Sequence, residues 1–184
     1  MFRKLSVILV IGLLAFTAAC SSKSSSTNAA SATGAAASVA ATSTPAACPT
    51  KNTESFAKTK FVADVAIAGG AFKRYIYTPA KDGKFKKGAN GRVLAFVKAA
   101  AAGALTVNRL EAAKTAAQAN PTLCKLLAEP IAKFSAAVSG LIGKAKGGSI
   151  DPSDVDNASG YLSGLHGAAS QGGAAFTDNT NTSA

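Results

Sequence analysis

The 184-residue sequence has little of what catalytic sites are usually built from, beginning with histidine, of which it has only one. Ser163 lies three residues before this His166, in the same predicted helix. A nucleophile and base of this kind also need an orienting acid and an oxyanion site, and the sequence places neither convincingly. We therefore predict an ordinary histidine on a helix face, no catalytic residue and no enzymatic activity.

Metal-binding and phosphate-loop motifs are missing as well. Asp151, Asp154 and Asp156 supply carboxylates, but they lack the spacing, the loop glycine and the distal glutamate of an EF-hand. Helix capping explains them better. A Gly-Lys pair at 143–144 has Val138 where a phosphate-binding loop requires its first glycine. We predict no metal site and no cofactor.

Alternation of apolar and polar residues, which marks a half-buried strand, is absent except in a short ambiguous stretch at residues 74–78. Apolar residues instead recur every three or four positions in four segments. This pattern predicts an all-α fold, a small up-down bundle of about four helices. The predicted helices cover residues 61–79 with an approach from about 53, residues 92 to about 119, residues 123–147, and a stretch that begins at 151.

Particular residues predict where these helices end and pack. Pro79 is expected to stop the first helix, and Pro130 to kink or break the third. Asp151 is the predicted N-cap of the fourth helix, with Pro152 at its first position. The predicted buried face of the second helix comprises Val93, Val97, Ala100, Ala104 and Val107.

A pair of glycines, Gly69 and Gly70, lies inside the first helix. Glycine in a helix interior costs about 1 kcal/mol relative to alanine. A close crossing with the second helix near residues 99–102 would explain why two are present. A membrane hairpin is not favoured, because the apolar runs are short and carry Asp64 and Lys98.

Cys20 follows a basic start, an apolar segment at residues 5–16 and three small residues at 17–19. The apolar segment is too short to span a bilayer and fits an export signal. The junction resembles the lipobox of bacterial lipoproteins, in which the cysteine is diacylated and the signal is cut before it. The resemblance implies a lipid on Cys20 that anchors the chain to the extracytoplasmic face of the cell membrane. It departs at Thr17, where the family has a larger aliphatic residue, so ordinary signal cleavage and secretion stays an alternative.

A second resemblance lies in the segment AFKRYIYTP at residues 71–79. It is similar to a segment of exported proteins from high-GC Gram-positive bacteria that have no assigned activity. This likeness carries over no catalytic residue.

The chain has three cysteines. If a lipid occupies Cys20, then Cys48 and Cys124 remain, and an exported protein matures where thiols oxidise. We predict a disulfide between them, with Cα atoms within roughly 4.4–6.8 Å. Two unpaired thiols are the alternative. Cys48 and Cys124 lie at the starts of the first and third predicted helices, and an up-down bundle places these two starts at the same end.

Composition divides the chain into four parts. Residues 1–19 are the predicted signal, and residues 20–48 are a Ser/Ala/Thr-rich segment predicted to be a flexible tether. Residues 49–169 are the helical domain. Residues 170–184 are polar and rich in Gly, Asn and Thr, and we predict a disordered tail.

The net charge of +11 is unevenly distributed. Residues 51–98 are strongly basic, whereas residues 149–184 contain aspartate but no lysine or arginine. Such a concentration can hold anionic groups by charge alone, and a merely solvated loop is the alternative. The candidate anion-binding residues are Lys73, Arg74, Lys81, Lys84, Lys86, Lys87 and Arg92.

Tyr75, Tyr77 and Phe85 lie among these charges and would suit stacking on single-stranded nucleic acid. Export removes nucleic acid from reach, so we expect anionic lipid headgroups or acidic envelope polymers as partners instead. The leading hypothesis is a non-enzymatic, membrane-anchored lipoprotein with an interaction or cell-envelope role. The alternative is a carrier that holds a small apolar or lipid ligand within the bundle.

Overall fold

The computed structural model describes residues 47–181, which fold into a bundle of long helices without any strand in this part of the chain. The predicted all-α fold class is therefore confirmed. Cys20, the predicted signal, nearly all of the predicted tether and residues 182–184 lie outside the described residues. The elements in chain order are α1 (Ala57–Phe72), a π-helical segment (Lys73–Tyr77), α2 (Thr78–Lys81), α3 (Arg92–Gln118), α4 (Pro121–Lys146) and α5 (Pro152–Gln171).

Hydrogen bonds at the two ends of the bundle show the up-down order. At one end, the N–H of Thr53 before α1 donates to the carbonyl of Ala119 after α3, at 2.9 Å. At the other, Arg92 at the start of α3 donates to the carbonyl of Gly148 after α4, at 2.6 Å. α3 packs against both α1 and α4, and α4 packs against α5. We call these the Cys48 end and the basic end; the basic end carries the loop at residues 82–91.

The first helix does not stop at Pro79, as the sequence predicts, but continues to Lys81. The π-helical segment precedes the proline, and the N–H of Thr78 donates to the carbonyl of Lys73, five residues earlier. Proline lacks an N–H and its ring crowds the preceding turn, so the wider π turn accommodates it where a regular α-turn would be disturbed. Gly83, with a φ of 68°, then ends the helix in the left-handed region that favours glycine.

The sequence predicts a kink or a break at Pro130. α4 runs through Pro130 without a break. Asn120 caps the first turn of α4, where its side-chain oxygen accepts hydrogen bonds from the N–H groups of Thr122 and Leu123, both at 3.0 Å. Asp151 occupies the N-cap position of α5, as predicted, but its side chain makes no capping hydrogen bond.

The buried face of α3 differs from the predicted one. Phe96 and Leu110 are buried, whereas Val93 and Val97 are 76% and 61% exposed. Apolar residues occur almost all round the first half of this helix, so helical spacing alone fits more than one face. The ring of Phe96 packs against that of Phe85, with centroids 5.0 Å apart, and this contact turns the valines outward.

α1 and α3 approach closely through residues other than the predicted glycines. The hydroxyl of Thr106, fully buried on α3, donates to the carbonyl of Ala102 at 2.8 Å and lies 3.3 Å from the carbonyl of Ala68 on α1. A methyl group on Gly70 would instead lie 1.7 Å from the carbonyl oxygen of Asn179. The glycine pair therefore makes room for the C-terminal tail, and the predicted helix crossing at this pair is wrong.

The tail after α5 lies along this glycine groove, so the disorder predicted from residue 170 is not found as far as residue 181. The N–H of Asn179 donates to the carbonyl of Ala66 at 2.8 Å. The Asp178 carboxylate, 4% exposed, lies 2.6 Å from Nζ of Lys73 and 3.1 Å from Nε2 of His166. Backbone pairing and a buried carboxylate thus attach the tail to α1 and α5.

The described residues, 47–181, belong to one compact unit with its own hydrophobic core and its own disulfide. These are the properties of a domain that folds on its own. By length and composition alone, α3 and α4 could each cross a membrane. In this structure both pack within the bundle, where they contribute buried residues such as Leu110 and Leu127 to the core.

The predicted disulfide between Cys48 and Cys124 is present, and the Cα atoms lie 5.7 Å apart. It joins the chain before α1 to the first turn of α4, at the Cys48 end. The two cysteines are 76 positions apart. In the chain-entropy model, closing a loop of that length stabilises the fold by about 4.5 kcal/mol.

Replacing both cysteines tests this contribution. For Cys48→Ala combined with Cys124→Ala in the isolated domain, we expect the free energy of unfolding to fall by about 2–5 kcal/mol, because the unfolded chain regains loop entropy. Urea unfolding followed by circular dichroism measures the change. Reductant should shift the parent domain equally and leave the double variant unaffected. Equal stability of parent and variant would contradict the expectation.

Gly70→Ala tests the tail groove, with Gly164→Ala on α5 as the matched control, because a methyl group at Gly164 meets nothing within 4 Å. The Gly70 variant should displace the tail, so the amide of Asn179 should exchange with solvent faster while the bundle stays folded. The control should keep the tail in place and gain up to about 1 kcal/mol from better helix propensity. Equal exchange at Asn179 in both variants would show that the tail does not depend on the groove.

Candidate anion-binding surface

The seven basic residues predicted to bind anions do not form one site. The structure distributes them over the π-helical segment, α2, the loop at residues 82–91 and the first residue of α3. Four of them bind other parts of the protein: Lys73, Arg74, Lys81 and Arg92. The remaining three are Lys84, Lys86 and Lys87.

Lys73 and Arg74 hold the C-terminal tail. Lys73 pairs with the buried carboxylate of Asp178, as described above. Nη1 of Arg74 donates to the carbonyl of Thr180 at 2.9 Å, and its guanidinium lies 5.3 Å from the ring centre of Tyr75. These two side chains therefore hold the C-terminal tail against the bundle, and an external anion would have to compete with the tail for them.

Lys81 is neutralised by α5. Its Nζ lies 2.6 Å from the carboxylate of Asp156 and 5.4 Å from the ring centre of Tyr77. The hydrogen bond to Asp156, helped by its negative charge, holds the pKa of the Lys81 ammonium above its usual value. Both partners of the pair are half exposed, so solvent screens it and its contribution to stability is small.

Arg92 fixes the shape of the loop. Its Nε donates to the carbonyl of Phe85 at 3.0 Å and its Nη2 to that of Gly148 at 2.6 Å. Its guanidinium also lies 4.7 Å from the ring centre of Phe96. Arg92 thus ties the loop to the start of α3 and to the chain just after α4, which is a structural role.

Lys84, Lys86 and Lys87 project from this loop into solvent. Backbone hydrogen bonds shape the loop, including those from Lys84 to Pro79 at 2.9 Å and from Lys86 to Gly83 at 3.1 Å. Across residues 47–181, none of the three lysines forms an ion pair. We call Lys84, Lys86 and Lys87 the loop lysines; they are the part of the predicted site that is free to bind an external anion.

The structure adds residues that sequence reasoning missed. An open cleft of about 390 Å³ lies beside the start of α3, and its lining includes Val93, Val97 and, from the end of α4, Lys146. Lys146 is 54 positions from Arg92 in the sequence, so no local pattern could have placed the two together. The outward orientation of Val93 and Val97 likewise depends on how α3 packs.

His166 belongs to the attachment of the tail. Its ring contacts that of Phe176, with centroids 4.0 Å apart, and its Nε2 faces Asp178. The Ser163 hydroxyl donates to the carbonyl of Ser159 in the preceding turn, at 3.1 Å. An acid beside His166, which the sequence did not reveal, is therefore present as Asp178. The pair of His166 and Asp178 holds the C-terminal tail in place. Within the described residues, no three His, Cys, Asp or Glu side chains come together as a metal site would require.

No protein-family model, no curated protein and no solved structure matches the chain.

Proposed function

We propose that this chain is a non-enzymatic lipoprotein, anchored through Cys20 to the extracytoplasmic face of the bacterial cell membrane, whose loop lysines bind anionic groups of the cell envelope. The observation that carries the proposal is the division of the basic residues. Four of the seven candidates bind the protein itself, and the three that do not are adjacent, exposed and held on one structured loop.

The loop lysines outnumber the acidic groups near them. Asp82 lies two positions before Lys84, and Asp151 lines a shallow pocket together with Lys86, but neither forms an ion pair with a loop lysine within residues 47–181. A lysine near an anionic membrane surface contributes about 1 kcal/mol of attraction. Three such lysines give weak, salt-sensitive binding, which is suited to a domain that a covalent lipid already holds near its target.

Phosphate is the ligand chemistry that this surface fits best. Lysine binds phosphate as a point charge without demanding a fixed geometry, and exposed lysines on a loop can follow an irregular polymer or a fluid headgroup layer. Phosphate occurs in both anionic lipid headgroups and acidic wall polymers. Nucleic acid carries the same charge but is not expected outside the cell.

The two ends of the bundle suit this arrangement. The predicted tether joins the domain at the Cys48 end, and the loop lysines lie at the basic end. α3, which spans the distance between them with 27 residues, is about 40 Å long. The domain could therefore present its lysines away from the membrane or tip over and lay them on it.

The alternative function, a carrier of an apolar ligand, receives no support from the packing. Phe61, Phe72 and Phe134 fill the centre of the bundle and are fully buried. The rings of Phe72 and Phe134 meet edge to face with centroids 5.4 Å apart. A ligand would have to displace these side chains before it could enter.

Replacing the loop lysines tests anion binding. Lys84→Gln, Lys86→Gln and Lys87→Gln together should weaken binding of the isolated domain to phosphatidylglycerol vesicles or to polyglycerol phosphate roughly a hundredfold at low salt, since about 3 kcal/mol of attraction is lost. Co-sedimentation measures the vesicle arm and calorimetry the polymer arm. Comparing the two arms identifies the source of the phosphate.

The matched control removes the same charge at the Cys48 end, through Lys51→Gln, Lys58→Gln and Lys125→Gln. Its binding should fall far less, because these lysines lie at the opposite end of the bundle. Equal losses in both triple variants would mean that net charge alone governs binding. A parent domain that binds neither target at low salt would overturn the proposed anion site.

Cys20→Ala tests the anchor in the full chain. The variant should lose labelling by a palmitate analogue, and it should either leave the membrane fraction or stay attached through its uncut signal. Cys48→Ala is the control and should keep the label, because the disulfide cysteine carries no lipid. Labelling that persists in Cys20→Ala would refute the assignment of the lipid to Cys20.

A further inference from the structure

The first half of α3 presents an apolar surface to solvent. Val93 is 76% exposed, Leu94 57% and Val97 61%. Ala101 and Ala104 continue the exposed face toward the middle of the helix. We call Val93, Leu94 and Val97 the apolar face; three neighbouring aliphatic side chains left in water suggest a surface that another structure covers.

This surface occurs at one end of the helix only. Beyond Ala104, the exposed positions of α3 become mostly polar, beginning with Asn108 and Glu111. The apolar face therefore lies at the basic end, in the first two turns of the helix that directly follows the loop with the loop lysines. Lys98 on α3 and Lys146 at the end of α4 add positive charge around it.

We propose that this apolar face inserts into the headgroup region of an anionic lipid bilayer, with the loop lysines, Lys98 and Lys146 bound to the phosphates around it. The inference rests on the proposed function and commits it to lipid rather than wall polymer as the partner. Aliphatic side chains surrounded by lysines match the two layers of a bilayer, because the apolar groups reach the acyl boundary while the ammonium groups stay among the headgroups.

Charge argues against the other occupants. A second copy docked through the same face would bring the loop lysines of both copies together, and like charges oppose such a contact. A soluble polyphosphate would satisfy the lysines but leave Val93, Leu94 and Val97 in water. An anionic bilayer satisfies both the charged and the apolar groups.

A tryptophan reporter tests insertion directly, because the chain contains no tryptophan. We place it at Val97 (Val97→Trp), with Phe56→Trp as the matched control. Phe56 is 79% exposed and lies at the Cys48 end, just before α1. On adding phosphatidylglycerol vesicles to the isolated domain, emission from the Val97 variant should move to shorter wavelength and be quenched by brominated lipid. Emission from the Phe56 variant should not change.

A second variant separates insertion from charge. Val93→Thr, Leu94→Gln and Val97→Thr keep side-chain size and shape while making the face polar. Exposed positions of this kind change stability little, and urea unfolding checks this. We expect vesicle binding at physiological salt to weaken at least about tenfold, because the apolar contribution that salt does not screen is lost. Binding to polyglycerol phosphate should not change.

The outcomes distinguish this inference from the proposed function. Vesicle binding that salt abolishes completely, with no spectral change at Val97→Trp, overturns insertion but keeps the anion site. A spectral change without vesicles, which grows with protein concentration or appears only when residues 1–42 are present, assigns the face to a second copy or to that segment and also overturns insertion. Absence of all binding at low salt overturns both proposals.

Discussion

The close packing of α3 against α1 on one side and α4 on the other fixes the arrangement of the bundle. Its contacts on both sides are made by small residues at short range. Thr106 lies within hydrogen-bond distance of Ala68 on α1, and a methyl group on Gly103 would lie 2.5 Å from the side chain of Ile142 on α4. α3 cannot rotate in this slot without steric overlap. Its remaining face, which includes Val93, is therefore left to solvent.

The distribution of charge follows from the same packing. α5 and the tail supply aspartates that pair with lysines of the first helix, as in Lys73 with Asp178 and Lys81 with Asp156. The acidic C-terminal part of the chain thus neutralises basic residues that its fold brings near. The three lysines of the loop at residues 82–91 form no ion pair within the described residues, so the loop keeps a net positive charge. The same end of the molecule therefore combines lysines without an ion-pair partner in the described residues with exposed aliphatic side chains, and the proposed membrane contact rests on this combination.

The candidate site could be predicted from the sequence only in part. The concentration of lysine and arginine around residues 73–92 was visible as composition, and it correctly indicated which connection between helices is basic. Which of these charges are free was not visible, because their partners are remote in sequence: Lys81 pairs with Asp156, and Arg92 bonds to Gly148. The tail illustrates the same limit, since its polar composition indicated disorder while a single buried carboxylate and two glycines of α1 hold it in place.

The helical class, the up-down order and a disulfide between Cys48 and Cys124 could be predicted from the sequence, because apolar spacing, helix-ending residues and cysteine placement act locally or through simple connectivity. The buried face of α3, by contrast, is set by its packing against the other helices. Alanine and valine occur on several sides of that helix, so its own periodicity leaves the orientation open. The orientation is set by the packing of Phe96 against Phe85 and of small residues against α1 and α4. Such fits depend on side chains from distant parts of the chain, which become neighbours only after folding.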